Sequence, residues 1–486
     1  MQTSLGGLVW WSLRDLRDRY LRLIQSFEEL SGPASRAGKR VFGAAGETLR
    51  QDLLNFEREV LSFQQASLEI ALEESKYDKA LAISRDYRRE YLATAGAIFP
   101  YLPLGAHPPD DLRFFLMRSL GLSLVTPSDD EVFSLAYSGK PYWEMRMLPP
   151  NSSEPFVAAI PVPFPESLTP LRWPLLVHEL GHVVDGSGRK VSEALLNEVA
   201  QLLTGFTTND ESAQLISKEL VADAVAAAQC GEAYVWAFAT EALFQDQLMP
   251  WAAHLTRPAT IDARTRIAIL TPDTDLDAVL ATAATTTKAT PSLDKDAIAL
   301  IRDALATALR AAQLDFISSS KLATRAISEI GASIGRPHRE ALAMTLLEDR
   351  TTATTLGQAV RSAIFGTPAL TLPDSSVVAA LRAELTGTTE YPGIPAPGLL
   401  KSDASGVYHE PASDAAILTA AWELYAGGDV TAQHQAFVEE SLLGAADTLD
   451  SAKLDHAMDR VVRFDTNVAR ALESAAVHRW LMEYMP

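Results

Sequence analysis

The stretch Leu175-Leu176-Val177-His178-Glu179-Leu180-Gly181-His182-Val183-Val184 decides how the rest of the chain is read. It is apolar on both sides, and Glu179 is the one acid or base between its two histidines. That composition suits a buried helix. On a helix, His178 and His182 stand one turn apart on one face, close enough to share a metal ion. Glu179 is rotated by about 100° from His178, at the edge of that face. From there it reaches a metal-bound water without itself being a ligand. Gly181 costs about 1 kcal/mol of helix stability against alanine. It implies either close approach of another backbone or substrate, or clearance between helices.

A catalytic site of this kind needs a third protein ligand and one open position. Metzincin spacing requires Gly at position 185 and His at 188. The chain has Asp185 and Gly188, so that class is excluded. Downstream, Lys218-Glu219-Leu220-Val221-Ala222-Asp223 places Glu219 and Asp223 on one helical face and runs on into Ala224-Val225-Ala226. In so apolar a helix an acidic pair needs partners. Glu219 is the candidate metal ligand. Asp223 is the candidate acceptor for the second nitrogen of a ligand imidazole, a contact that fixes the tautomer. Glu193, Glu198 and Asp185 are the rival third ligands.

Together the two segments resemble the gluzincin clan of zinc metallopeptidases, which pair a His-Glu-x-x-His helix with a Glu-x-x-x-Asp helix. The resemblance covers residues 175–226. It implies a zincin-like core and Zn²⁺ as cofactor, with His178, His182 and Glu219 as ligands. It also makes Glu179 the general base, Asp223 the group that orients a ligand histidine, and a peptide or protein the substrate. It further implies a substrate-binding edge strand before the active helix, a role that falls on Phe156 to Val162 by β-augmentation. Relatives carry a His or Tyr that steadies the oxyanion. Here His254, three residues before Arg257-Pro258, and Tyr234 are the candidates, with Arg264 as a further donor. Tyr234 lies eleven residues after Asp223, so it approaches the metal only if Gly231 ends the helix.

Outward from this segment the chain divides into three. Residues 1–95 read as an arm of long helices. Leu13, Leu16, Tyr20, Leu23, Phe27 and Leu30 form a heptad seam, continued by Leu53, Phe56, Val60, Phe63 and Ile70. Residues 96–270 hold the metallopeptidase-like domain. Its strands are expected at Glu131–Tyr137, Tyr142–Leu148 and Phe156–Val162. A turn at 139–141 joins the first two, and prolines confine the third to a sheet edge. Thr169 and Pro170 are the start signals of the active helix, with Pro174 able to delay it. Residues 271–486 read as helical, broken by a long Gly/Pro-rich loop at about 386–413. The fold class expected is mainly α (α+β).

The 486 residues carry 42 basic and 62 acidic side chains, a net charge of −20. Residues 1–100 hold equal numbers of each, so the surplus lies in 101–486. So acidic a chain repels phosphate backbones, and nucleic acid is not an expected partner. A single cysteine, Cys230, rules out internal disulfides and cysteine-based zinc sites. No apolar run approaches the roughly 20 residues of a bilayer span, and the N-terminus lacks signal-peptide features. The expectation is a cytoplasmic protein without membrane attachment. The helical arms 1–95 and 271–486 are expected to cover the cleft or to gate it through a partner, and the N-terminal helices to self-associate or to meet a regulatory partner. Two other functional readings share these residues. One is a regulated effector or defence protease with one cellular target. The other is a non-catalytic helical scaffold that keeps zinc for structure.

Overall fold

A computed structural model describes residues 3–32, 36–65, 74–103, 106–119, 133–138, 146–147, 158–164, 166–183, 191–203, 210–244, 314–315, 375–385, 398–403, 406–427, 430–444 and 448–484, with isolated positions at 359, 362 and 373. The described chain is mainly helical, with small sheets. Its helices are α1 (Leu5–Ser31), α2 (Arg36–Gln65), α3 (Glu74–Ile98), α4 (Asp110–Ser119), α5 (Trp173–Gly181), α6 (Glu193–Leu203), α7 (Asp210–Cys230) and α8 (Glu232–Phe244). After these come α9 (Ser375–Leu385), α10 (Asp414–Ala426), α11 (Val430–Glu439) and α12 (Ser451–Tyr484). No helix among the described residues is long and apolar enough to cross a membrane.

The heptad positions of α1 do face the core: Leu13, Leu16, Tyr20, Leu23 and Phe27 are all buried. The opposite face is buried too. Asp15, Arg17, Asp18, Arg19 and Arg22 sit inside, and every side chain from Trp10 to Phe27 is buried or half-buried. Helices α2 and α3 pack on α1, and α11 and α12 cover it as well. Its charges survive burial because distant segments neutralise them. Arg17 pairs with Glu57 of α2 at 2.7 Å, and Arg22 with Asp465 of α12 at 2.5 Å. Arg172 reaches Asp15 at 2.6 Å, and Asp18 takes the Tyr425 hydroxyl at 2.8 Å and Arg460 at 3.1 Å. The first helix is therefore a central strut and not a cover. Among the described residues, α1 is exposed only near its C-terminal end, at Glu28 and Glu29, whereas α2 and α3 each keep an outer face. The side chains of Phe63 and Ile70, expected on the same seam, fall outside the described residues.

The strands are β1 (Thr3–Ser4), β2 (Phe133–Ser138), β3 (Arg146–Met147), β4 (Ala158–Pro163), β5 (Leu314–Asp315), β6 (Gly398–Asp403) and β7 (Gly406–Pro411). Short β1 and β5 pair in parallel. The three-stranded sheet has the order β2-β4-β3. This corrects two expectations. The first two strands do not form a hairpin: β2 runs parallel to β4 from Phe133↔Ala158 to Ser138↔Pro163. Strand β4 is the centre of the sheet, with β3 antiparallel on its other side at Ala158 and Ala159. Pro161 and Pro163 are tolerated because both have the same parity. Their missing N–H groups fall on one side, where no described strand pairs beyond Ala159. Ile160, Val162 and Phe164 are buried. Docking of a substrate strand along a fully free edge of β4 is not available.

The expected loop at 386–413 also needs correction. Its second half is an antiparallel hairpin, β6 with β7, in register from Gly398↔Pro411 to Asp403↔Gly406. The surrounding Gly and Pro residues hide these strands from a compositional reading. The remaining helical segments expected after residue 271, and the run from residue 245 onward, lie mostly outside the described residues.

Candidate metal centre

Helix α5 is short, and all its side chains are buried except that of the half-buried Glu179. It starts late. Pro170 opens a 3₁₀ turn over Pro170–Arg172, and the α-helix begins only at Trp173 with Pro174 in its first turn. Thr169 does not cap with its side chain; its hydroxyl donates to Asp465 at 3.0 Å. Arg172 anchors the entry to the helix through Asp15 and lies over the Trp422 ring. Helix α5 is thus built onto α1 and α12. At the other end His182 is the C-cap, still in right-handed helical conformation (φ −67°, ψ −16°), so the one-turn spacing from His178 persists.

Helix α7 runs beside α5 and supplies the carboxylates. Their approach is set by Gly181. A Cβ built there would meet the Cα of Ala222 at 2.7 Å and its carbonyl oxygen at 3.0 Å. Of the two explanations for this glycine, close backbone approach between helices is the one observed. It brings Glu219, on α7, across to the histidines. His178 Nε2 lies 3.6 Å from Glu219 Oε2, and His182 Nε2 lies 3.8 Å from Glu219 Oε1. The imidazole rings meet edge to face at 4.8 Å between centroids. One donor atom from each of the three residues falls within 4.8 Å of the others.

Behind this group sits Asp223, fully buried, with Oδ1 3.0 Å from His178 Nδ1. Tyr234 completes the arrangement. Gly231 ends α7 with φ +58°, a left-handed conformation that glycine adopts at little cost. Helix α8 then turns back, and the fully buried Tyr234 brings its hydroxyl within 2.5 Å of Asp223 Oδ1 and 3.2 Å of His178 Nδ1. This nitrogen belongs to the Asp223 side of the ring, whereas Nε2 faces Glu219. The hydroxyl is therefore not placed for the oxyanion role considered for Tyr234. Its contact with Asp223 had no signal in the sequence beyond the glycine between the two helices.

The site's rim is more open. His182 and Glu219 are half-buried, as is Glu179. Of the rival ligands, Glu193 and Glu198 on α6 are exposed, and Asp185 lies outside the described residues. His254, Arg257 and Arg264 also lie outside them. Cys230 closes α7 in the core, where burial pushes its thiol well above the usual range.

The donor set could hold a metal ion, and zinc is one whose geometry can be compared with it. Tetrahedral zinc with ligands at about 2.0–2.1 Å separates neighbouring donors by about 3.4 Å. The two imidazole–carboxylate separations lie close to that. Around a four-coordinate ion, two nitrogens and a carboxylate would leave one position for water. Comparison of the chain with protein-family models, with curated proteins and with solved structures gives no match.

Proposed function

We propose that this chain is a zinc metallopeptidase of the gluzincin type, with a zincin-like core formed around α5 and α7. The observation that carries the reading is the convergence of His178, His182 and Glu219 from two helices within 4.8 Å. Local spacing within either helix does not require it. The two histidines and Glu219 would hold the metal. When bound, zinc acidifies a water and polarises a scissile carbonyl. Glu179 takes the proton from the attacking water and delivers it to the leaving amine. Asp223 holds the His178 ring through Nδ1. A peptide or protein as substrate rests on the resemblance to gluzincins and not on a groove in the fold.

Glu179→Gln tests this against a scaffold that keeps zinc for structure. The variant should retain stoichiometric zinc by elemental analysis. It should lose peptide hydrolysis by about 10²–10⁴-fold, the ordinary contribution of a general base. Undiminished hydrolysis would overturn the assignment. Labelling of new N-termini in cell extract, wild type against Glu179→Gln, then separates a broad peptidase from an effector protease with one target.

A further inference from the structure

We propose that Tyr234 is a positioning residue for the metal ligand His178, fixing through Asp223 the tautomer that keeps the ring proton off Nε2. This rests on the metal-centre reading above and extends it to a residue outside the ligand set.

Three polar atoms form a closed triangle. The Tyr234 hydroxyl is 2.5 Å from Asp223 Oδ1, His178 Nδ1 is 3.0 Å from the same oxygen, and the hydroxyl is 3.2 Å from Nδ1. An ionised carboxylate only accepts, and a phenol has one proton to give. At 2.5 Å that proton must lie toward Oδ1, because two oxygen lone pairs would repel at that distance. The phenol then has no proton left for Nδ1. With the Asp223 carboxylate ionised, Nδ1 faces two electron-rich oxygens, Oδ1 and that of the phenol, and the ring's own proton belongs there. Neutral imidazole has one such proton. Nε2 is left with its lone pair directed at the Glu219 side, where the metal would sit. Were the phenol turned to Nδ1 instead, the ring proton would move to Nε2 and block coordination.

The placement is stiff. The Tyr234 ring lies nearly parallel to the His178 ring, 7° between planes, with Phe238 nearly parallel on α8 at 5.9 Å. Two helical turns further along α8, Glu241 is bound by Arg19 of α1 and Arg88 of α3. The helix that carries the phenol is therefore clamped into the core at its far end.

The first test needs no metal. In metal-free protein at about pH 8, above the ordinary histidine range, nitrogen NMR of labelled histidine should report His178 as the Nδ1–H tautomer. His178→Gln assigns the resonance. A wild-type Nε2–H tautomer would overturn the proposal without any Tyr234 variant. The second test is Tyr234→Phe, which keeps the ring and removes the donor. Zinc affinity, measured by competition with a chromophoric chelator, should fall about tenfold or more, the usual effect of losing a partner of a ligand histidine. In an Asp223→Ala background the same change should cost little, because its effect passes through Asp223. Unchanged affinity with lost turnover would assign the hydroxyl to the reaction and overturn the positioning role. Wild type that binds no zinc would sink the metal-centre reading, and the tautomer measurement would then decide by itself whether Tyr234 and Asp223 set the state of the ring.

Discussion

Two buried polar clusters share one core, and they are built from different chemistry. Along α1, guanidinium groups meet carboxylates: Arg17 with Glu57, Arg22 with Asp465, Arg172 and Arg19 with Asp15. Between α5, α7 and α8, imidazoles and a phenol meet Glu219 and Asp223. Arginine holds its charge at any ordinary pH and has no lone pair to offer. Its cluster can only be neutralised by being fully assembled. Histidine in its neutral form presents a lone pair, so its cluster can accept a cation from outside. One cluster therefore ties distant segments together, and the other is suited to binding. Arg172 joins them, since it precedes α5, the helix that carries both histidines, and bonds Asp15 of α1.

The sharpest way to break this contrast is to remove one partner from each side. Glu57→Ala leaves Arg17 buried, its side chain having no exposure. The cost should be about 3–5 kcal/mol in chemical denaturation, and a chelator should not alter it. A cost below about 1 kcal/mol, the range of an exposed pair, would mean that the α1 cluster does not tie the fold together.

Next in size is the metal. Zinc at a hundred times its dissociation constant should stabilise the wild type by about 2.7 kcal/mol. A chelator or His178→Ala should remove that increment, read as a shift in melting temperature. Indifference of the wild type to both zinc and chelator would end the distinction between the clusters.

Gly181→Ala tests how the two helices of the proposed metal site meet. Its Cβ would strike backbone, which cannot swing aside as a side-chain end can. We expect a net loss of about 1–3 kcal/mol from overpacking, against the helix-propensity gain, with weaker zinc binding as α5 and α7 separate. A stabilised variant with unchanged affinity would show that the close approach is dispensable.

The smallest effect is the acid limb. Burial pushes the Glu241 carboxyl up, but Arg88, Arg19 and Arg172 outweigh it and hold it well below the usual carboxylate range. Asp15 is likewise raised by burial and lowered further by Arg172, Arg19 and Arg22. A folded-state value below the unfolded one gives stability that is complete above the ordinary carboxylate range and lost as pH falls below it. Denaturation followed from about pH 4.5 downward, where unfolded carboxylates begin to protonate, should show it. Glu241→Gln should flatten the limb by up to about 1.4 kcal/mol per pH unit. An identical slope in the variant would remove Glu241 from the account.

These clusters also differ in how far the sequence disclosed them. For the candidate site, His178 with His182 and Glu219 with Asp223 stand out because each pair is one helical turn apart. The charges of α1 look like a solvated helix face, since their partners lie at Glu57, Glu241, Arg460 and Asp465, and no local pattern links them. Strand β4 misleads for a related reason. Its prolines suggest an edge, yet they share one parity, so the other side of the strand keeps its donors and the strand sits in the middle of its sheet.

What the sequence determined by itself is the set of side chains that share a helix face. That follows from backbone geometry repeated over a few residues, whatever else the chain does. It also excluded internal disulfides and zinc sites built on several cysteines, because there is one cysteine. Only the tertiary structure decided which faces meet: Gly181 against Ala222, Tyr234 turned back onto Asp223 by Gly231, and α1 enclosed from Trp10 to Phe27. Those contacts join residues tens to hundreds of positions apart. They depend on packing and charge pairing summed over the whole core, which no short window of sequence contains.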